Sequence, residues 1–252
     1  MKTTSKAKKQ RLDVLLVERG LAETRQRAQA LILAGQLLVN GQKIEKAGAQ
    51  VAEDSAIQLL GEAMPYASRG GLKLAGALDD FGVNPAGKVC LDVGSSTGGF
   101  TDCLLQRGAV RVYAVDVNVG QLAWKLQQDR RVARVKCNAR NINARDVPEP
   151  AALATMDLSF ISVSKVLPAI TKLLAAGADV LILVKPQFEL EKREVGKGGI
   201  VRGAKLHEKA IERARAAAQA AGLEVLSVQP SRIAGAEGNL EFFLHARQPA
   251  IR

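Results

Sequence analysis

The sequence predicts an α/β protein built on a doubly wound sheet with an antiparallel last strand, preceded by a small α+β module. Three observations predict it. From residue 89 onward, apolar runs of strand length alternate with segments of helical period. Among them, V-C-L-D-V, G-S-S-T-G-G-F-T-D and R-V-Y-A-V-D (residues 89–116) read as strand, glycine-rich turn with helix, and strand, a βαβ unit. The first sixty residues carry a separate pattern of two short helices and a hairpin. A chain of 252 residues that is 47% hydrophobic has enough apolar material for one large core or for one medium and one small.

Residues 1–10 hold Lys2, Lys6, Lys8 and Lys9 with little apolar material, which predicts a disordered basic tail. Residues 11–60 form the small module. Leu12, Leu15 and Leu16 make one helical face that Gly20 ends. Thr24 caps a second helix with Ala28, Leu31 and Ile32 inward, and Gly35 closes it. Arg25 and Arg27 fall in the first turn of that helix, where cations oppose the helix dipole, so packing alone does not ask for them. Asn40-Gly41 between strand-like runs signals a hairpin, and residues 56–60 give a third strand. Residues 61–68, with Pro65 and a change of composition, read as a linker.

The larger domain, 69–252, begins with R-G-G-L-K-L and a helix running through Phe81. After the βαβ unit the periodicity predicts a helix over 119–128, a strand over 132–137 and a weaker strand over 152–158. A helix over 164–174 and a fully apolar strand over 179–184 come next. A Gly- and Lys-rich loop (192–203), a helix (204–221) and strands over 224–228 and 241–246 complete the chain.

The net charge of +11 is spread over both parts and points to a polyanionic partner. Three cysteines without C-x-x-C spacing indicate a reduced, cytoplasmic setting, and two histidines leave no case for a metal site. No apolar run approaches the roughly 20 residues of a membrane helix, so no stable membrane association is expected.

Ligands of open α/β sheets bind outside the carboxyl ends of the strands, and an acid ending the second strand of the unit, Asp116, suits a ribose diol. The glycines Gly94, Gly98 and Gly99 do not make G-x-G-x-x-G, which argues against a nicotinamide oxidoreductase. Asp92 followed by G-x-x-x-G resembles the loop of Rossmann-like methyltransferases that bind S-adenosyl-L-methionine. The resemblance implies a donor site of Asp92, Gly94, Ser95, Ser96, Thr97, Gly98, Gly99 and Phe100. Asp116 would serve the ribose and Asn138 would lie near the adenine, and Val117, Ala139 and Asp157 are assigned to the same donor site.

In the first module, R-x-D-x-L-L-V-x-x-G-L and T-R-x-x-A-x-x-L-I-x-x-G-x-x-x-V-N-G resemble the RNA-binding module shared by a small-subunit ribosomal protein, many pseudouridine synthases and bacterial tyrosyl-tRNA synthetases. The resemblance implies that Arg11, Arg25, Arg27, Lys43 and Lys46 face RNA phosphates. Arg69, at the head of the larger domain, is assigned to the same role.

Lys73, Asp157, Lys185 and Glu241 all stand at strand ends or helix starts on one edge. Transfer of a methyl group to a ribose hydroxyl requires that its proton be taken. A lysine can take it once burial and a neighbouring cation make its own proton easier to lose. Lys185 is the candidate base, Lys73 the neighbouring cation, and the two carboxylates the holders. These residues lie in S-R-G-G-L-K-L, D-L-S-F-I-S, V-K-P-Q-F-E and G-N-L-E-F-F-L. With the glycine loop and A-V-D-V-N-V-G-Q-L-A-W, they resemble the TlyA family of bacterial ribosomal-RNA ribose 2′-O-methyltransferases, historically called haemolysins. That resemblance implies a Lys-Asp-Lys-Glu tetrad on the four positions and cytidines of ribosomal RNA, within ribosomal subunits, as substrates. The competing readings are a non-catalytic RNA-binding assembly factor and a membrane-active haemolysin.

Overall fold

The computed structural model describes residues 9–22, 24–60, 64–235 and 238–250, so Lys2, Lys6 and Lys8 of the basic tail lie outside the described residues. The chain forms two compact units, Met1–Ala63 and Met64–Arg252.

In the first unit, β1 (Lys9–Arg11) leads into α1 (Leu12–Glu18) and α2 (Arg25–Leu33), followed by β2 (Leu37–Val39), β3 (Gln42–Lys43), β4 (Gln50–Ala52) and β5 (Ile57–Leu59). Thr24 caps α2 by accepting the Arg27 N–H. The Asn40-Gly41 turn joins β2 to β3, and β5 pairs antiparallel on the other side of β2. Leu12, Leu16, Ala28, Ile32 and Leu37 are fully buried and form the core. Lys9 and Gln10 are not disordered tail, because β1 pairs antiparallel with β4. The sequence signals neither strand, since each is three residues long and polar on its exposed side.

The second unit contains α3 (Arg69–Phe81), β6 (Val89–Val93), α4 (Gly99–Gln106), β7 (Arg111–Asp116), α5 (Trp124–Gln127), β8 (Val132–Lys136) and β9 (Ala151–Met156). Then come α6 (Leu167–Ile170), β10 (Leu174–Val184), α7 (Pro186–Glu189), α8 (Ala204–Ala220), β11 (Glu224–Pro230) and β12 (Phe242–Arg247). The seven strands lie in the order β11-β12-β10-β9-β6-β7-β8. Pairings from β8 through β10 are parallel, and β12 runs antiparallel between β10 and β11.

Alternate residues of each central strand feed two cores. Val180, Ile182 and Val184 of β10 join α6 and α8 on one face, while Leu181 and Leu183 join α3 and α4 on the other. This two-sided burial is what a parallel sheet demands and explains the unbroken apolar run.

Several boundaries differ from expectation. Residues 119–128 form a 3₁₀ turn (Val119–Gln121) and then α5, because Leu122 and Ala123 are extended and the Ala123 N–H donates to the Thr97 carbonyl. Residues 164–174 break into 3₁₀ turns on either side of α6, where Pro168 withholds a backbone donor. Of the expected linker 61–68, residues 61–63 lie outside the described residues. Ala67 donates its N–H to Asp102 and Gln106 donates to the Pro65 carbonyl, so residues 65–68 are fastened to α4.

Candidate active site

The strand order reverses between β6 and β9, and a cleft of about 270 Å³ opens there at the carboxyl ends. Gly94 to Thr97, Gly99 and Phe100 line one side. Lys73, Asp157, Lys185 and Glu241 line the other, with Arg69 at the mouth. Four separate elements supply these charges. Lys73 lies on the second turn of α3, Asp157 follows β9, and Lys185 follows β10. Glu241 precedes β12, whose antiparallel direction brings its start to the same edge.

The charges close into two ion pairs. Lys73 Nζ lies 2.5 Å from Glu241 Oε2, with side chains 12% and 3% exposed. Lys185 Nζ lies 2.6 Å from Asp157 Oδ1, with side chains 13% and 23% exposed. Lys185 also donates to Ser159 Oγ at 3.1 Å. The cation expected beside Lys185 is therefore committed elsewhere, and its immediate neighbour is a carboxylate. Alternating signs are what buried charges require, since an unpaired one would keep its full desolvation cost. The Asp157 Oδ1 contact is close but not aligned as a hydrogen bond, so this buried oxygen keeps an acceptor direction unused.

The glycine turn is shaped for a ligand. Gly94 and Gly98 take φ of +89° and +94°, and Ser96 takes +47°. A Cβ on Gly94 would overlap the Asp157 carbonyl oxygen. The Ser95 hydroxyl is buried without a hydrogen-bond partner on the wall of the cleft, an orphan that a polar ligand would satisfy. With the free N–H groups at the start of α4, these residues fit the polar parts of a nucleoside-bearing donor.

Other residues expected at the donor site lie away from the cleft lining. Asp92 is fully buried beneath the turn rather than in the cleft, accepting from Thr101 Oγ1 at 2.6 Å and Thr155 Oγ1 at 3.3 Å. It ties α4 to β9. Gly98 caps α4 without lining the cleft. Asp116 accepts the Ser96 and Asn118 N–H groups, both at 2.9 Å, so it braces the turn. Val117 is exposed, and Asn138 folds back to accept the Arg140 N–H; neither these nor Ala139 line the cleft.

Burial pushes the Asp92 carboxyl up to about 7, with nearby Asp157 adding to the rise. The folded protein then holds a proton that the unfolded chain releases near pH 4. This contribution to stability is complete below about pH 4 and is lost as pH rises through about 7. Asp92→Asn is expected to remove that loss. The gap between variant and wild-type melting temperatures should move in the variant's favour from pH 5 to pH 8. Parallel melting curves across that range would show that Asp92 is ionised throughout.

Sequence reasoning missed four contributors. Ser68 and Gly70 line the cleft, and Ser159 fixes Lys185. Glu189, buried at the end of α7, accepts from Ser162 Oγ at 2.6 Å and the Val163 N–H at 3.0 Å, anchoring the loop after Asp157. The repeated small and hydroxyl residues in S-R-G-G and D-L-S-F were the available signal. On that loop Phe160 is 90% exposed at a φ of +65°, its ring 5.2 Å from Phe188.

In the first unit, Arg11 grips the buried Asp13 through Nε and Nη2, and Arg25 and Gln29 reach the same carboxylate. Arg11 holds the Asp13 carboxyl well below the usual carboxylate range. Arg25 thus has a packing reason that its position in the helix did not reveal. Lys43 pairs with Glu45, whereas Arg27 and Lys46 are exposed and unpaired among the described residues. Among the described residues no cluster of side chains could hold a metal ion, and no helix is long and apolar enough to cross a membrane.

The strand order, the glycine turn at the switch point and the paired charges define a Rossmann-like methyltransferase. Residues 66–248 match the FtsJ-like methyltransferase family model, and the chain belongs to that family. Residues 10–57 match the S4 domain. A Bacillus subtilis protein provisionally named rRNA methyltransferase YqxC is 47% identical, over 96% of this chain and 87% of its own. The 16S/23S rRNA (cytidine-2′-O)-methyltransferase TlyA of Mycobacterium tuberculosis is 42% identical, over 98% of this chain and 92% of its own. A solved Streptococcus thermophilus structure, provisionally named a hemolysin, is similar with a TM-score of 0.76 at 42% identity, covering 96% of this chain and 89% of that one.

Proposed function

We propose that the enzyme transfers a methyl group from S-adenosyl-L-methionine to the ribose 2′-hydroxyl of cytidines in ribosomal RNA. It acts in the cytoplasm on ribosomal subunits, and the S4 domain supplies a share of the RNA affinity. The observation that carries this reading is the two partly buried ion pairs on one wall of the donor cleft. When bound, the donor supplies an activated methyl group on a sulfonium. Gly94, Ser95 and the start of α4 at Gly99 would hold it.

The hydroxyl would approach Lys185 Nζ, whose position Asp157 Oδ1 and Ser159 Oγ fix. Lys185, in its neutral amine form, would take the hydroxyl proton while the bound donor would supply its methyl group to the oxygen, the carbon–sulfur electron pair staying on sulfur. Asp157 stabilises the resulting ammonium, the arrangement seen in the ion pair. Ser159 keeps the amine in line, and Lys73 holds Glu241 on the same wall. The exposed ring of Phe160, three residues beyond Asp157, offers a face on which a base can stack. Most of the acceleration is positional, because alignment can contribute roughly 7–11 kcal/mol.

The test is tritium labelling of 30S and 50S subunits from a strain lacking this activity, followed by nucleoside mapping. Label on 2′-O-methylcytidine is the expected result. Label on a base, or none on either subunit, overturns the assignment.

A further inference from the structure

The glycine- and lysine-rich segment between α7 and α8 takes no part in the chemistry above, yet it is firmly built. At its start Glu191 and Glu194 form a reciprocal capping box, and Lys209 and Arg213 of α8 hold Glu194. At its far end stands Asn239, which is 2% exposed. It accepts the Val201 N–H on Oδ1 at 2.8 Å and donates through Nδ2 to the Gly199 carbonyl at 2.9 Å. Asn239 lies two residues before Glu241, so the segment is stitched to the loop that delivers a carboxylate to the cleft.

What this scaffold presents to solvent is positive charge. Lys192, Lys197, Arg202 and Lys205 are exposed and have no carboxylate partner among the described residues. Of the nearby acids, Glu191 is used by Arg193 and Arg213 and Glu194 by Lys209 and Arg213, while Glu208 on α8 is exposed and in no ion pair among the described residues. No large apolar side chain is exposed between residues 192 and 205. Protein interfaces draw their affinity from such anchors, whereas phosphates need only cations and accessible backbone.

We propose that residues 192–205 are a preformed phosphate-binding ledge of the catalytic unit, which grips the RNA backbone beside the target ribose. Asn239 is the positioning residue that fixes the ledge to the Glu241 edge. The inference rests on the RNA reading above and names the surface that reading lacks.

The test uses full-length protein with Lys192, Lys197, Arg202 and Lys205 all changed to Ala. Binding to deproteinised ribosomal RNA and to intact subunits is followed from 50 to 200 mM salt. Each lost phosphate contact should flatten the log–log salt slope by about 0.7–0.9, so a loss of two to four contacts flattens it by roughly 1.5–3.5. Affinity at low salt should fall at least about tenfold, with donor affinity by calorimetry unchanged. Lys172→Ala, at the opposite end of β10, should keep the wild-type slope.

An unchanged slope in the quadruple variant overturns the ledge. So does a loss confined to intact subunits, because the surface would then be meeting protein. Asn239→Ala should weaken RNA binding about five- to tenfold and speed hydrogen exchange at the Val201 amide. Wild-type RNA affinity in that variant would remove Asn239 from the proposal. A flattened slope without ribose labelling by wild-type enzyme would sink the methylation reading and leave the ledge standing.

Discussion

Lys185→Ala is expected to lower methyl transfer at saturating donor and RNA by roughly 10²–10⁴-fold, the range for loss of a positioned base. Donor affinity should stay within about threefold, since Gly94, Ser95 and the start of α4 are untouched. The substitution also leaves Asp157 without its partner at 2.6 Å. Breaking a buried pair strands a charge, but the Asp157 side chain is 23% exposed, so water screens part of that cost. Lys185→Arg separates charge from proton transfer. A guanidinium keeps the positive charge beside Asp157 but cannot be deprotonated, so this variant should bind donor, melt near the wild-type temperature and stay inactive. Single-turnover rates on subunits, with calorimetry of the donor, are the measurements. Turnover within tenfold of wild type in either variant would remove Lys185 as the base and leave orientation as its role.

The shared edge of Asp157, Lys185 and Glu241 was legible because strand ends are. Lys185 follows an apolar run and precedes Pro186, and Glu241 opens a closing strand, so topology alone places both on one edge. The partner of each was not legible. Lys73 and Glu241 lie 168 residues apart in the chain, and choosing carboxylate over cation as the neighbour of Lys185 depends on side-chain reach across four elements. The same limit hid the role of Arg25, whose carboxylate partner sits on another helix, twelve residues away. Periodicity also overran. The apolar spacing of 119–128 and 164–174 is helical, but a backbone contact to Thr97 and the missing donor of Pro168 interrupt each helix. Asp92 stands near a strand end beside the turn, where a ligand-facing acid is expected, yet its side chain points to the α4 side of a strand buried on both faces and is covered by Thr101. Period two fixes which face a residue takes, and the turn motif says nothing of it.

Gly94→Ala should be the most damaging single-methyl change in the protein. The φ of +89° at Gly94 costs an L-residue roughly 1–2 kcal/mol. The new methyl would also meet the Asp157 carbonyl oxygen, a backbone atom that no rotamer change can move aside. Relief therefore requires the turn or the start of the Asp157 loop to shift, which misplaces the donor and the Lys185–Asp157 pair together. Donor affinity should fall at least about a hundredfold, and a displacement near 1 Å can cost the chemical step a further ~100-fold. Gly98→Ala is the calibrated comparison. Its φ of +94° carries a similar backbone cost, but its methyl would meet the ends of Leu122 and Leu126, side chains that can repack. The two variants should thus lose similar backbone stability while differing by an order of magnitude or more in donor affinity. If Gly98→Ala binds the donor as poorly as Gly94→Ala, backbone strain alone explains both, and the contact between turn and Asp157 loop does not set the site.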